Sequence, residues 1–381
     1  MAKQTTTQNS LERETEPNQL SNTHFLTLKE LPIPLSQSQC VLHKHELLIC
    51  GGRNERACYS YHTLKNEYKL ICQYPSDVQL FGHSVVKLVD SNSNNDKHNN
   101  TITLLSFGST WGGLNKHTLV MKYVSVWSDD NNNDEMNQSK QFNQFNRSNQ
   151  SNYYNRWIPF IDYHNHPIII GRDGDRYNGA RALIGGINNH LLFITYWRNN
   201  ISVFDLNTFQ FIKHDQLPTN DEILKWTSTR NEENKSKNKQ YYQMLLFCEK
   251  TGLLIEYDED NNTFQFHQLP VCKSIAPFNA YAYVCINDII LFFGGHGWDF
   301  DNDIVSKSVD KDCVAIWSEE DNDIHIIGVL THMKTKVRVW DPSKLSKKEI
   351  RTLIEHWVRI LKIKLGWIDD FDNIIFKYSK F

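Results

Sequence analysis

Asn287-Asp-Ile-Ile-Leu-Phe-Phe-Gly-Gly295 decides how the chain is read. A turn dipeptide comes first, then five apolar residues, then a glycine pair. Five consecutive apolar residues suit a strand buried on both faces and are too few for a helix. The paired glycines end the strand where the backbone turns sharply or approaches a neighbour closely. A similar unit stands at Glu46 to Gly52: Leu47, Leu48, Ile49 and Cys50, then Gly51-Gly52.

Outward from these stretches, a second signal recurs. Phe25-Leu26-Thr27-Leu28-Lys29-Glu30-Leu31-Pro32 alternates apolar and polar residues and stops at Leu-Pro. The same shape returns at Phe209 to Pro218 and at Phe264 to Pro270, with a variant ending at Tyr74-Pro75. Proline is tolerated on a strand that forms a sheet edge. Between these stops the order repeats at a spacing of roughly 40 to 55 residues. The first unit reads Cys40–Leu42, Leu47–Gly52, Cys58–Tyr61 and Tyr68–Cys72. The second reads Ser84–Val89, Thr101–Gly108, Thr118–Trp127 and Trp157–Ile161. The third reads Ala180–Ile184, Leu191–Tyr196, Ile201–Asp205 and Phe209–Leu217. The fourth reads Leu224–Thr229, Met244–Cys248, Leu253–Asp258 and Phe264–Leu269. The fifth has Tyr281–Ile286, Ile289–Gly294 and a third strand near Ile304–Val309, with no space for a fourth. The sixth has Cys313–Trp317, Ile324–Gly328 and Lys336–Asp341. An aromatic-Asp pair marks third strands at Phe204-Asp205, Tyr257-Asp258 and Trp340-Asp341.

This unit resembles the kelch repeat, the building block of one β-propeller family. The resemblance implies an all-β fold: a six-bladed kelch-type propeller over residues 24–341. Blade six has no fourth strand of its own, and Phe25–Leu31 is an unpaired one. Joining them closes the ring and removes open sheet edges. Blade five is expected to be truncated. Residues 1–23 read as a disordered leader rich in Gln, Thr, Asn and Glu. After Pro342 the period becomes helical. Ser346 to Glu349 fits a capping box, and Ile350, Leu353, Ile354, Trp357, Leu361 and Leu365 fall on one face. Residues 342–381 are therefore expected to form a helical hairpin, packed on the propeller or used as a partner-binding tail.

Composition bounds the function. Aromatic residues make up 12% of the chain, enough for a large core, and the net charge of −3 gives no electrostatic case for nucleic-acid or acidic-membrane binding. No apolar run approaches the ~18 residues that span a bilayer. Met1 to Ser21 has no apolar signal core, so a cytoplasmic location is expected. The eight cysteines contain no C-x-x-C pair and read as buried, reduced thiols. Three polar inserts, Asp90–Asn100, Ser128–Arg156 and Asn231–Gln240, read as low-complexity loops.

No specific catalytic set emerges. His164-Asn165-His166 lacks a third ligand at metal spacing. Asp173-Gly174-Asp175 is followed at the twelfth calcium-loop position by Ile184, not glutamate. Neither a metal nor a cofactor is expected, and the chain is read as a non-enzyme. The remaining signal is in loops. In a propeller the second-to-third-strand loops and the blade-to-blade connections emerge on one face. Here they carry Arg53, Arg56, Trp111, Arg172, Arg176, Tyr177, Trp197, Arg198 and Trp298. Arg, Trp and Tyr are enriched at binding hot spots. The resemblance thus implies a protein-protein interaction scaffold with an unidentified protein partner. Kelch proteins include actin binders and ubiquitin-ligase substrate receptors, which makes either link conceivable by family alone. Two alternatives stand beside it: a copper enzyme of the galactose-oxidase kind, and a decayed copy without function.

Overall fold

The computed structural model describes residues 25–89, 101–127, 154–219, 227–231, 241–248, 250–271, 278–279, 282–286, 289–294, 296–299, 302–305 and 312–336. Among them there is no α-helix, and the strands form antiparallel sheets of near-identical plan. The first sheet takes β2 (Gln39–His43), β3 (Glu46–Gly52), β4 (Glu55–His62) and β5 (Glu67–Gln73) in chain order. β1 (Leu26–Thr27) belongs to the last sheet. The second sheet takes β6 (Ser84–Leu88), β7 (Thr101–Gly108), β8 (His117–Val124) and β9 (Ile158–Pro159). The third takes β10 (Arg181–Gly185), β11 (Leu191–Tyr196), β12 (Asn200–Asp205) and β13 (Gln210–Gln216). The fourth takes β14 (Thr227–Asn231), β15 (Tyr241–Cys248), β16 (Thr251–Asp258) and β17 (Thr263–Leu269). Consecutive strands pair in hairpins, so each sheet is a meander, and the sheets are the blades of a β-propeller.

Local chemistry explains the plan. The second strand of each of the first three blades is buried along almost its whole length, because it lies between neighbouring blades. The glycine pair ending β3 has two separate causes. Gly51 has φ of +58°, and a Cβ there would lie 2.4 Å from Leu80. Gly52 has no room for another reason: its Cβ would lie 2.9 Å from the Ser36 carbonyl of the preceding connection. One glycine makes the turn and the next admits the neighbouring chain. Gly294 repeats the first of these with φ of +68°.

The last blade contains β23 (Val314–Ser318), β24 (Asp323–Ile327) and β25 (His332–Lys336), and its outer strand is β1 from the other end of the chain. Leu26 pairs with Lys334 and Thr27 with Met333. Leu28 N then donates to His332 O at 2.8 Å and Leu31 N to Leu330 O at 3.2 Å. The closing strand is therefore the one expected at residues 25–31. Its partner lies earlier than expected: the third strand is His332–Lys336, not Lys336–Asp341.

The blade count is corrected. Five sheets are four-stranded, not six. Between the fourth blade and the last stands a two-stranded hairpin of β19 (Ala282–Ile286) and β20 (Ile289–Phe293). The third strand expected near Ile304–Val309 does not join it. Instead β18 (Phe278–Asn279), β21 (His296–Asp299) and β22 (Asn302–Val305) form a separate small sheet. The hairpin still fills a place in the ring. Its inner strand β19 lies beside β23, and Ala282, Val284 and Ile286 are buried against Ile324 and Ile326. The first strands β2, β6, β10, β14, β19 and β23 neighbour one another in that circular order and surround the axis. The leader (1–23), most of the three inserts and the C-terminal segment (342–381) lie outside the described residues.

The seam between the first and last blades has its own polar core. The Tyr68 hydroxyl lies 2.7 Å from His332 Nδ1, and His332 Nε2 lies 3.0 Å from His325 Nδ1. Tyr61 packs on both imidazoles. Burial pushes His325 down to about 4 and His332 down to about 3, so both are neutral at physiological pH.

Candidate partner-binding face

Five connections meet on one face. The β3–β4 turn, the loop before β6, the β7–β8 loop, the loop before β10 and the β11–β12 turn lie at the same end of their strands. They are stitched together by backbone contacts. Arg53 N donates to Ser36 O at 2.6 Å, Asn54 N to Leu80 O at 3.0 Å and Gly179 N to Gly82 O at 2.8 Å. Tyr177 N donates to Ser109 Oγ at 3.0 Å.

Side chains from these connections form two guanidinium–aromatic stacks, Arg53–Phe81–Trp111 and Arg176–Trp197–Arg198, that meet at the Gly113 loop and together make a belt. The Arg53 guanidinium sits 4.5 Å over the Phe81 ring. Phe81 meets Trp111 edge-on, with ring centroids 5.0 Å apart. Trp111 is 68% exposed, and Leu114 on the same loop is 70% exposed. The next residue along the belt is Arg176, which packs so tightly on Gly113 that a Cβ there would lie 2.6 Å from its side chain. Arg176 stacks over Trp197 at 4.1 Å, and Arg198 stacks over the same ring at 4.3 Å. Planar guanidinium groups favour this stacking because the ring face is electron-rich.

The arginines divide into two kinds. Arg172 is committed internally: Nε and Nη2 donate to Asp175 at 3.2 and 3.3 Å, and Nη2 also reaches the Tyr196 hydroxyl at 3.3 Å. The Asp175 carboxylate raises its pKa further. Arg53, Arg176 and Arg198 have no carboxylate partner among the described residues. Their forks are held in place by aromatic rings and remain open to an incoming anion. Arg198 shows a further sign of local constraint. It has φ of +64° and Asn199 has φ of +60°, so two of the three residues of the β11–β12 turn are left-handed. Left-handed backbone suits Gly or Asn, and an arginine there is strained.

The nine expected residues do not all belong to the belt. Arg53, Trp111, Arg176, Trp197 and Arg198 form it, and Arg172 supports it through Asp175. Arg56 lies in β4 and donates to Tyr74 O at 3.4 Å, which anchors the connection beneath. Tyr177 is fully buried, with Phe107 and Tyr196 against its ring. It is a floor under the loop and cannot meet a partner directly. Trp298 lies in strand β21, paired with Asp303, and not in a loop. Phe81 and Leu114 were missed. Phe81 follows an unpatterned stretch and Leu114 is one leucine in a glycine-rich loop, so only the geometry identifies them.

Other candidate chemistry resolves into structure. Asp162 accepts from the backbone of His164 and His166 at 2.8 Å each and from His166 Nδ1 at 3.2 Å, which makes the H-x-H pair a turn brace. Among the described residues no group of three His, Cys, Asp or Glu side chains is arranged to hold a metal. No disulfide joins Cys40, Cys50, Cys58, Cys72, Cys285 or Cys313, and burial pushes Cys40 up to about 12. No helix of the described residues is long and apolar enough to cross a membrane.

No family model matches the chain, and no curated protein matches it. Among solved structures, one described as YjhT is similar at 13% identity, with a TM-score of 0.46, over 82% of this chain and 97% of that one. A second, the β-propeller domain of Cps50 (Swd1) from Myceliophteria thermophila, is similar at 8% identity, with a TM-score of 0.43, over 82% of this chain and 99% of that one. The propeller assignment stands on the strand order and ring closure described above.

Proposed function

We propose that this chain is a non-catalytic protein-interaction module of the kelch type. It binds an acidic, extended segment of a protein partner across the belt of Arg53, Trp111, Arg176, Trp197 and Arg198. The observation that carries this reading is the set of three guanidinium groups braced on aromatic rings and unpaired by any described carboxylate. An unpaired arginine fork favours a carboxylate, and exposed Trp111 and Leu114 offer apolar contact between the charges. The kelch assignment is supported by the glycine pairs, the Leu-Pro stops and the closing N-terminal strand. The circular order of six inner strands supports a six-fold ring in which one blade has been cut to a hairpin. A cytoplasmic location accords with described cysteines that form no disulfide.

The test is affinity capture with the intact chain, identification of the partner by mass spectrometry, and an alanine scan of both faces. One or two belt residues should each cost about 2 kcal/mol or more in affinity. Changes on the opposite turns, at Leu64 or Lys44, should cost little. Binding that survives every belt change and fails on the opposite face refutes the assignment.

A further inference from the structure

Three cysteines of the first blade stand in one row, and the binding face does not use them. Cys50 on β3 is directly opposite Cys58 on β4, and Cys58 is directly opposite Cys72 on β5. Residues directly opposite in an antiparallel pair project from the same face of a sheet. That face is turned to the second blade: Trp157 Nε1 donates to Cys58 Sγ at 3.3 Å, and Cys72 Sγ lies 3.6 Å from Met121 Sδ. The row runs from the core to the rim. Cys50 and Cys58 are fully buried, while Cys72 is half-buried on the outer strand, next to exposed Gln73.

The ladder shows which pair suits a disulfide. Thr63 N donates to His45 O at 2.8 Å, so His45 and Thr63 are a hydrogen-bonded pair. The register then runs unbroken from Glu46 and His62 to Cys50 and Cys58. Hydrogen-bonded and non-hydrogen-bonded pairs alternate, which makes Cys50 and Cys58 a non-hydrogen-bonded pair with Cα atoms about 4.5 Å apart. Tyr74 N donates to Arg56 O at 2.8 Å, so two steps along the same register Cys58 and Cys72 are a hydrogen-bonded pair. Their Cα atoms are then about 5.5 Å apart. Both separations lie within the range that a disulfide spans, and side chains approach more closely in the first kind of pair. Cys58 belongs to both pairs and receives the indole hydrogen. Burial opposes its ionisation, but hydrogen bonds from Cys50, Cys72 and Trp157 outweigh it and draw its pKa well below the ordinary thiol value. A thiol of that kind is suited to act as a nucleophile.

We propose that Cys50, Cys58 and Cys72 form a thiol relay that responds to peroxide, with Cys72 as the entry and a Cys50–Cys58 disulfide as the product. Peroxide gives one oxygen to the Cys72 thiol, which becomes a sulfenic acid, and leaves as water. The Cys58 sulfur attacks that sulfur, the S–O bond breaks, and the hydroxide departs with the Cys58 proton as a second water. Cys50 then attacks Cys58 Sγ. A Cys50–Cys58 bond replaces the Cys58–Cys72 bond, and the Cys50 proton passes to the Cys72 sulfur. Two thiols are oxidised and one peroxide is reduced to two waters. Because β4 lies between β3 and β5, the entering and leaving sulfurs stand on opposite sides of Cys58. The product staples β3 to β4 just before Gly51-Gly52 and the turn that carries Arg53. The inference stands without the binding-face reading.

The test uses the intact folded chain, treated with hydrogen peroxide, then blocked with iodoacetamide under denaturing conditions and digested with trypsin. Arg53 and Arg56 separate Cys50 from Cys58, and Lys65 and Lys69 separate Cys58 from Cys72, so each cysteine falls in its own peptide. The expected result is a Cys50–Cys58 cross-link that dithiothreitol reverses. Cys72→Ser should slow its formation severalfold. Cys50→Ala should stop the relay at a Cys58–Cys72 link, and Cys58→Ala should abolish both links and leave Cys72 as a sulfenic acid that dimedone traps. Wild-type peptides that remain fully alkylated after peroxide overturn the proposal, a result that requires no variant. A Cys50–Cys58 link formed at the wild-type rate in folded Cys72→Ser overturns the relay. Links that form only after the chain is unfolded in urea overturn the site.

Discussion

Removing residues 1–32 should unfold the protein or open its ring, while removing 1–22 should not. The closing strand contributes more than its two ladder residues suggest. Leu31 is 5% exposed, and Phe25 packs edge-on against Phe293 with centroids 6.3 Å apart. Leu28 lies against the core shared by the first and last blades. Burial of Leu31 is worth about 2 kcal/mol, and the half-buried Phe25 and Leu28 about 1 kcal/mol each. The backbone bonds from Leu28, Leu31 and the β1–β25 ladder add about 1 kcal/mol apiece. The total is about 7 kcal/mol, against a stability of about 5–15 kcal/mol for a typical domain. Truncation also leaves β25 as an open edge, which invites pairing between molecules. The assay is thermal and urea unfolding of both truncations, with size-exclusion chromatography to detect association. A peptide spanning residues 23–35, added in trans, should restore part of the loss. Equal unfolding midpoints for the two truncations would refute ring closure by this strand.

Stability should fall on acidification from about pH 6.5. Burial depresses His83 and His332 to about 3 and His117 and His325 to about 4, while the unfolded chain titrates near 6.5. The unfolded state therefore takes up protons first, and each histidine costs about 1.4 kcal/mol per pH unit over that window. Urea midpoints between pH 7.5 and 5 check this, and a flat profile contradicts it. Tyr177→Ala should cost about 3 kcal/mol or more because it leaves a cavity, whereas Trp111→Ala should alter unfolding by less than about 0.5 kcal/mol. Equal effects would mean that the assigned burial of the two is wrong. Gly51→Ala should destabilise by about 2 kcal/mol or more, through left-handed strain together with the clash on Leu80. Removal of residues 129–153 should leave the midpoint nearly unchanged, since loop length enters stability at about 0.6 kcal/mol per doubling, whereas extending the cut through Asn155 also removes its three hydrogen bonds to Lys122 and Val124.

Much of the fold was legible because its signals are local. Each glycine pair reports a turn and a close approach, and each Leu-Pro stop reports an edge. The closing strand could be found by counting: one blade lacked a strand and one strand lacked a blade. The errors lie where the pattern had to say which strand pairs with which. Residues 332–336, His-Met-Lys-Thr-Lys, carry one apolar side chain, so the stronger pattern after them drew the assignment four residues too late. Near Ile304 an apolar stretch was visible, but spacing cannot say that it pairs with His296–Asp299 and not with the hairpin. The candidate face shows the same division. Residue type and loop order identified Arg53, Arg176, Trp197 and Arg198. Whether a loop aromatic faces in or out depends on the neighbouring loop, which is why Tyr177 and Trp111 look alike in sequence and differ in burial.

The central claim is that partners are held by one face of the propeller. Hydrogen-exchange footprinting of the intact chain, with and without the captured partner, tests it most directly. The account predicts added protection at the backbone amides of residues 109–116, 172–178 and 197–200, with the turns at 44–45 and 63–66 unchanged. Protection confined to those opposite turns, with the belt exchanging as in the free protein, would contradict it.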